Sequence, residues 1–450
     1  MTDRKSSPVR GSRLGRLGQF GRLATGIAGG VIAEGARSLA SGKRPALRDM
    51  VITPGNITRI ADEMARLRGA AMKVGQLLSM DTGNALPPEL ADLLARLRAD
   101  ADAMPMQQLA PVLVQAWGPE WPQQFRRFDQ RPRAAASIGQ VHYAEFHDHQ
   151  PLAIKVQYPG VARSIDSDVD NLATLLRMTR LLPKSLDLAP LLAEAKVQLH
   201  AETDYQREAA AQQRFAERLQ DDPHFTVAKV HAELSTAQVL TMDYMPGQPV
   251  EALVNQPQTL RDTVMQRLFE LLFRELFVWG EVQTDPNLAN FLYQAEQDRL
   301  VLLDFGAVRA YDADMVAAYR ELLHAGQTHN TASMLSAATR IGYFAQDIQP
   351  AQQRAVLALF ELACEPLRQQ GAYDFGTSDL AVRVREAGMA MSFEQDYWHS
   401  PPVAALFLHR KIAGLYLLAA RLQARVDVGA ILAPFLSSTL PDQAARVPTA

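Results

Sequence analysis

Ile57, Ile60, Met64, Leu67, Ala71, Val74 and Leu78 recur every three or four residues, the spacing of one face of a helix. Pro87-Pro88 ends that pattern, Glu89 to Leu97 begins another, and Met104-Pro105 closes it. A short helix is predicted from Met106 to Ala116. Past Phe128 the period shortens to two. Gln140–Glu145 and Leu152–Gln157 read as strands joined by the polar turn His147-Asp148-His149-Gln150. In the second strand Leu152, Ile154 and Val156 face one side, and Ala153, Lys155 and Gln157 the other. Helices are predicted over 161–182 and 188–220, and strands over 225–230 and 239–244. Met245-Pro246-Gly247 then breaks the chain and marks a lobe boundary. Beyond it the pattern is helical over 261–279, 312–326, 330–342, 349–369, 378–391 and 403–425, with loop and short strands over 283–306. Strands first and helices afterwards predict an α+β fold of two lobes.

Composition narrows the class. A chain of 450 residues can bury two cores, and 48% apolar with 21% charged residues is ordinary for a globular protein. A net charge of −3 gives no pull toward nucleic acid. The single cysteine, Cys364, excludes an intramolecular disulfide and a cysteine-built zinc cluster, and suits a reducing compartment. No stretch reaches the roughly 18 uncharged apolar residues of a spanning helix. The nearest candidate, Val403 to Leu422, is broken by His409, Arg410 and Lys411, and reads as a buried helix with a polar stripe. Residues 1–48 carry ten Lys or Arg against two Asp or Glu. That segment reads either as a solvated tail or as a basic segment lying on anionic membrane. Its arginine-rich, acid-poor start also suits an organellar transit peptide.

The candidate chemistry lies near residue 300. Asp285-Pro286-Asn287-Leu288-Ala289-Asn290 precedes the apolar run into Asp304-Phe305-Gly306. A carboxylate to face an acceptor, followed by an amide and a second carboxylate to hold Mg²⁺ on ATP, is the order phosphoryl transfer uses. Upstream, Lys155 sits on a strand among apolar residues, where an amine is costly unless paired, and it suits contact with nucleotide phosphates. Glu202 and Glu208 are its candidate partners; on one ideal helix they would project about 240° apart, so the two should not share a role. Ala134-Ala135-Ala136-Ser137-Ile138-Gly139-Gln140 stands where a phosphate-covering loop would lie. Its backbone N–H groups and the Ser137 hydroxyl could meet an anion, with alanine methyls where glycine would leave space. Lys73 and Gln76 close the first strong helix, and on composition alone Lys73 reads as a solvated lysine.

Together these residues resemble the UbiB/AarF-type atypical kinase family, which serves ubiquinone biosynthesis in bacteria and mitochondria. The resemblance rests on Lys73-Val74-Gly75-Gln76, the alanine-rich loop, Ala153-Ile154-Lys155-Val156, Glu202 to Ala209, Leu240 to Tyr244, Asp285 to Asn290, Leu303 to Gly306 and His409-Arg410-Lys411. It covers about residues 13 to 425. It is nearer to the mitochondrial-type branch, which lacks C-terminal transmembrane helices. It implies a two-lobed, protein-kinase-like fold with a helical N-terminal extension and a mostly helical C-lobe. The expected division is 1–48, a basic segment; 49–125, the extension; 126–246, the N-lobe; 247–430, the C-lobe; and 431–450, a tail. In such a fold Lys73 and Gln76 would reach toward the nucleotide. The family's catalytic loop usually reads H-x-D-P-H-P-G-N. Here Gln283 and Asn287 replace the imidazoles and Ala289 replaces glycine, which would disfavour a positive φ.

The function this implies is an ATP- and Mg²⁺-binding atypical kinase or ATPase supporting ubiquinone biosynthesis. Lys155 would hold phosphates, oriented by Glu202 or Glu208; Asn290 and Asp304 would bind Mg²⁺; Asp285 would orient or deprotonate the acceptor; and Asp243, Tyr244 and Met245 would line the adenine site, largely through backbone groups. The expected partners are nucleotide, anionic membrane, quinone precursors, enzymes of the quinone pathway and a second copy of the chain. The expected place is the cytoplasmic side of the inner membrane, or the matrix of an organelle. Two other readings stay open: a catalytically weak, nucleotide-switched lipid-binding scaffold, and a small-molecule phosphotransferase.

Overall fold

The computed structural model describes residues 104–136, 138–179, 188–285, 287–344, 346–394 and 402–436. The basic segment 1–48, the segment expected to be the helix bearing Lys73 and Gln76, and Ser137 lie outside the described residues. The chain divides into two units. Among the described residues the first takes those within 104–213 and 228–245, and the second takes 214–227 and those from 246 onward.

The first unit is built on an antiparallel sheet. After helix α1 (Met106–Trp117) come β1 (Arg127–Phe128), β2 (Ala134–Ala135), β3 (Gly139–Glu145) and β4 (Pro151–Gln157). Helices α2 (Val161–Thr179), α3 (Leu188–Glu202) and α4 (Tyr205–Arg218) follow, then β5 (Phe225–Val227) and β6 (Val239–Asp243). The sheet runs β1-β3-β4-β6, with β2 added to β3. Period-two patterning sets its faces. Leu152, Ile154 and Val156 are sealed in one core with Leu109, Leu113, Trp121 and Phe125. Lys155 therefore points to the opposite face.

One long helix expected over 188–220 is two. The Asp204 carboxylate accepts from the backbone N–H groups of Gln206 and Arg207, at 3.1 and 3.0 Å. This caps a new helix start at Tyr205. Gln157 takes the Thr203 carbonyl at 2.6 Å and so anchors the break to the sheet.

The second unit has its own small sheet. β7 (Gln248–Pro249), β9 (Phe291–Gln294) and β10 (Arg299–Leu302) pair antiparallel, and β5 joins β10 in parallel. Strand β5, expected alongside the first sheet, thus belongs with residues some 75 positions later (Leu300↔Phe225). Helix α5 (Gln258–Arg274) continues into a π-helical turn at Glu275–Trp279, followed by β8 (Glu281–Gln283). β11 (Val308–Ala310) pairs with β8, placing Val308 opposite Gln283.

The remaining chain is helical: α6 (Ala313–Gln327), α7 (Thr331–Ile341), α8 (Pro350–Ala363), the short α9 (Glu365–Arg368) and, after β12 (Tyr373–Asp374), α10 (Leu380–Glu394). Helix α11 (Val403–Arg421), β13 (Arg425–Val426) and α12 (Val428–Leu436) complete it. The tail expected from 431 begins instead as core, because Leu432 and Phe435 of α12 are buried and Phe435 packs on Phe273 and Phe277. By length and composition α11 could cross a bilayer. Phe407, Leu408, Leu415 and Leu418 are nevertheless buried within the unit, as befits a core helix.

Gly139 shows how tightly β3 meets its neighbours. A Cβ there would collide with the Val156 carbonyl oxygen and approach the Tyr205 hydroxyl to 2.8 Å. Gly139→Ala should therefore destabilise the chain by about 1–3 kcal/mol, through overpacking. Chemical denaturation would measure it, and an unchanged midpoint would refute the packing argument.

Candidate active site

In the first unit Lys155 lies between β3 and β6, its side chain 10% exposed. Its ammonium donates to both carboxylate oxygens of Glu208, at 2.7 and 2.9 Å. Tyr205, one turn earlier on α4, sets its ring 5.1 Å from the same nitrogen. The helix break at Asp204 makes this geometry. Because α4 starts afresh at Tyr205, Glu208 falls in its first turn and faces the sheet. Glu202 closes α3 and is half-buried.

The alanine-rich segment is one arm of a hairpin. Ala134 pairs with Val141 and Ala135 with Gln140, and the Ala136 N–H donates to the Gly139 carbonyl at 2.8 Å. Ala134 and Ala135 are exposed. The Gln140 side chain turns inward, where its oxygen accepts from the Met104 N–H at 2.7 Å and its nitrogen meets His142 Nε2 at 2.8 Å. That amide is a core group, so it is not the part of the hairpin that would meet a nucleotide. At the end of β6 the Asp243 and Tyr244 N–H groups donate to the Lys229 and Pro151 carbonyls. The Asp243 carboxylate accepts from Gln150 at 2.9 Å and lies 2.8 Å from His231 Nε2.

In the second unit Asp285, Asn290 and Asp304 come together. Asn290 Nδ2 donates to Asp285 Oδ2 at 3.1 Å, which leaves the amide oxygen as the end turned away. The Leu303 N–H bonds the Asn290 carbonyl at 3.0 Å, tying the loop to the segment that delivers Asp304. The Gly306 N–H fixes Asp304 Oδ1 at 2.9 Å, and Phe305 is buried with its ring 5.0 Å from Phe215. A carboxylate and an amide oxygen are the hard donors Mg²⁺ takes beside phosphate oxygens. Among the described residues no group of three or more His, Cys, Asp or Glu forms a cluster that could hold a metal by itself.

Two of the three departures in the loop have structural roles, and the third fits without strain. Gln283 is buried; its Nε2 donates to the Asp304 carbonyl at 3.0 Å and its Oε1 accepts from Lys411 at 3.1 Å. The Asn287 side chain accepts from the Ala289 N–H and caps the short turn Leu288–Asn290. Ala289 is not among the described residues with positive φ, so this loop imposes no such strain on it.

The polar stripe of α11 meets this loop, a connection that sequence reasoning missed. Arg410 Nη2 donates to Asp285 Oδ1 at 2.9 Å, with the guanidinium 9% exposed. Lys411, fully enclosed, sits 3.7 Å from Glu275 Oε2. Its ammonium is within hydrogen-bond reach of Gln283 but not of that oxygen, which has no hydrogen-bond donor among the described residues. His409 stacks on Tyr343, whose hydroxyl it meets, and burial lowers its pKa to about 4, so it is neutral near pH 7. The available signal was charge within an apolar helix, which needs a partner wherever it is buried.

Two expectations follow. Glu208→Ala should cost about 3 kcal/mol or more, because the buried Lys155 ammonium loses the carboxylate that accepts from it twice, whereas Glu202→Ala should cost about 1 kcal/mol or less. Equal losses in denaturant titration would contradict the pairing. Burial also pushes the Glu275 carboxyl up to about 7. The folded state thus holds that proton more tightly than the unfolded chain. The resulting stability is complete below the ordinary glutamate range and is lost as pH rises through about 7. Glu275→Gln should remove this component, giving a flatter fall of Tm between about pH 5 and 8 than the wild type shows. Identical slopes would disprove it.

Comparison with known proteins gives this arrangement a family. The ABC1 atypical kinase-like domain matches residues 96–338. The chain is 37% identical over 440 residues to atypical kinase coq-8, mitochondrial, of Caenorhabditis elegans, covering 96% of this chain and 58% of that protein. It thus spans little more than half the length of that relative. It is 37% identical over 426 residues to atypical kinase COQ8, mitochondrial, of Saccharomyces cerevisiae, covering 94% of this chain and 84% of the other. Among solved structures, the Rv3197–erythromycin complex from Mycobacterium tuberculosis is 26% identical at a TM-score of 0.57, covering 81% of this chain and 92% of that one. With a family domain over more than half its residues and such relatives along nearly its whole length, the chain belongs to the UbiB/AarF-type (ABC1) atypical kinase family, an α+β kinase-like fold whose named members are kinases.

Proposed function

We propose that this chain is an ATP- and Mg²⁺-dependent atypical kinase or ATPase that supports ubiquinone biosynthesis as a peripheral membrane protein, at the inner membrane or on the matrix side of an organelle. The observation that carries this reading is the buried pair of Lys155 and Glu208, at 2.7 Å. A strand lysine held by a helix glutamate is the phosphate-gripping device of kinase-type sites. Glu208, not Glu202, takes that role here. Asn290 and Asp304 would hold the metal through the amide oxygen and a carboxylate. Mg²⁺ supplies charge neutralisation at the transferred phosphoryl group. Asp285 would orient the acceptor hydroxyl or water. The alanine hairpin would cover the phosphates, the carbonyls of Asp243 and Tyr244 with Met245 would meet the adenine, and Lys73 and Gln76 would close on the nucleotide.

The acceptor is small. Between Gly306 and the start of α6 at Ala313 there are six residues, and three of them form β11, paired to β8. Such a link has no room for the long segment on which a protein kinase seats a peptide. Water or a small hydroxyl compound such as a quinone precursor fits better. The nucleotide-switched scaffold keeps one observation in its favour, since both Asp285 oxygens are already held, by Arg410 and Asn290.

Asp304→Asn should abolish Mg²⁺-dependent nucleotide binding and turnover, measured by calorimetry and phosphate release. Unchanged ATPase in that variant would overturn the assignment. Stimulation of wild-type turnover by anionic liposomes with a quinone-precursor mimic supports the enzyme reading, and tight binding without turnover supports the scaffold.

A further inference from the structure

Consecutive residues of an α-helix leave its axis about 100° apart. At His409, Arg410 and Lys411 each of the three directions is occupied. His409 enters the aromatic cluster of Tyr343, Tyr319 and Phe360, with ring centroids at 5.4, 6.3 and 6.1 Å. Arg410 reaches Asp285, and Lys411 reaches Gln283. Helix α11 can then neither roll nor slide without breaking a buried contact. Two further contacts tie it to the strand after Asp304-Phe305-Gly306. Arg309 of β11 stacks 3.9 Å from the Phe407 ring, and the Tyr311 hydroxyl donates to the Ala404 carbonyl at 3.0 Å.

We infer that α11 is the strut of the catalytic loop, with Arg410 and Lys411 as its positioning residues. Arg410 holds Asp285 Oδ1 while Asn290 holds Oδ2, so the carboxylate plane is fixed from both sides. Lys411 acts one step further back. It sets Gln283, and Gln283 holds the Asp304 carbonyl at 3.0 Å, so one lysine governs where the second carboxylate begins. This explains how the loop keeps its arrangement with Gln283 in place of an imidazole. The amide is a fixed donor and acceptor at once, and spans from a buried ammonium to a backbone carbonyl without titrating. The inference rests on the phosphoryl-transfer reading for what the loop does, and on the geometry alone for what holds it.

The test uses the full chain and two independent readouts. The first is a double-mutant cycle on ATP turnover with Arg410→Gln, Asp285→Asn and both together. Arg410→Gln should lower kcat by about a hundredfold, the cost of misplacing a reacting group, with KM for ATP changed by about twofold or less. In the Asp285→Asn background it should cost nothing more, and Arg410→Lys should recover part of the loss. Equal losses in both backgrounds would overturn the inference. The second readout is amide hydrogen exchange over residues 284–306, which needs no turnover. Arg410→Gln should speed exchange at 284–291, and Lys411→Met should extend this to 303–306. The exposed Leu417→Ser on the same helix should leave both unchanged. Loop exchange at wild-type rates in Arg410→Gln and Lys411→Met would overturn the strut. Wild-type protein that binds no Mg²⁺–nucleotide would instead defeat the functional reading, and the exchange data would still judge the strut.

Discussion

Lys155 and Glu208 can be buried only together. A lone ammonium on that strand face would shed its proton or drag water inward, and a lone carboxylate would do the converse. Much of the first unit follows from meeting this condition. The sheet must offer its apolar residues to one side so that Lys155 emerges on the other. The helical segment must be interrupted so that a glutamate arrives opposite it. Asp204 provides the interruption by capping a second helix, and Gln157 fastens the joint to the sheet. Gly139 is held to glycine by crowding in the same place, since the Val156 carbonyl oxygen occupies the space a Cβ would need and the Tyr205 hydroxyl lies just beyond.

The second unit solves a different problem, that of holding a loop still. Its family's usual histidines are absent, yet none of their places is idle. Asn287 became a cap and Gln283 a bridge. Each replacement exchanges a titratable ring for an amide of fixed hydrogen-bonding character. Charge enters from the far end of the chain, where α11 presents Arg410 and Lys411. The buried neighbourhood of Lys411 is imperfectly matched, because one Glu275 oxygen lacks a donor among the described residues, and a buried charge so placed adds little to stability.

Much of this was legible in the sequence, for identifiable reasons. Period-two and period-3.6 patterning located β3, β4 and most helices, and spacing alone drew attention to Asp285, Asn290 and Asp304. What escaped was nonlocal or fine-grained. The choice between Glu202 and Glu208 turned on a break of two residues that periodicity averages over, although an aspartate followed by a helical run was a readable cap. Gln140 sits inside the alanine motif, yet its amide serves the core, because alternation along β3 sends it inward. The pairing of β5 with β10 joins segments far apart in the chain, and neither carries a mark of the other. Arg410 and Lys411 were visible as interruptions of an apolar helix, but no local rule says which carboxylate or amide an interrupting charge will find.

The link between Gly306 and Ala313 also bears on control. A kinase with a long segment there can be switched by modifying it, since the segment has somewhere to go. Here the backbone is stitched to β8 within two residues of the glycine, and the Arg309 and Tyr311 side chains are held by Phe407 and Ala404 on α11. Its freedom has been surrendered to the scaffold. Control by modifying a long segment there is thus closed to this chain, and a message that ends before α11 encodes a chain in which Asp285 has lost Arg410 and Gln283 has lost Lys411.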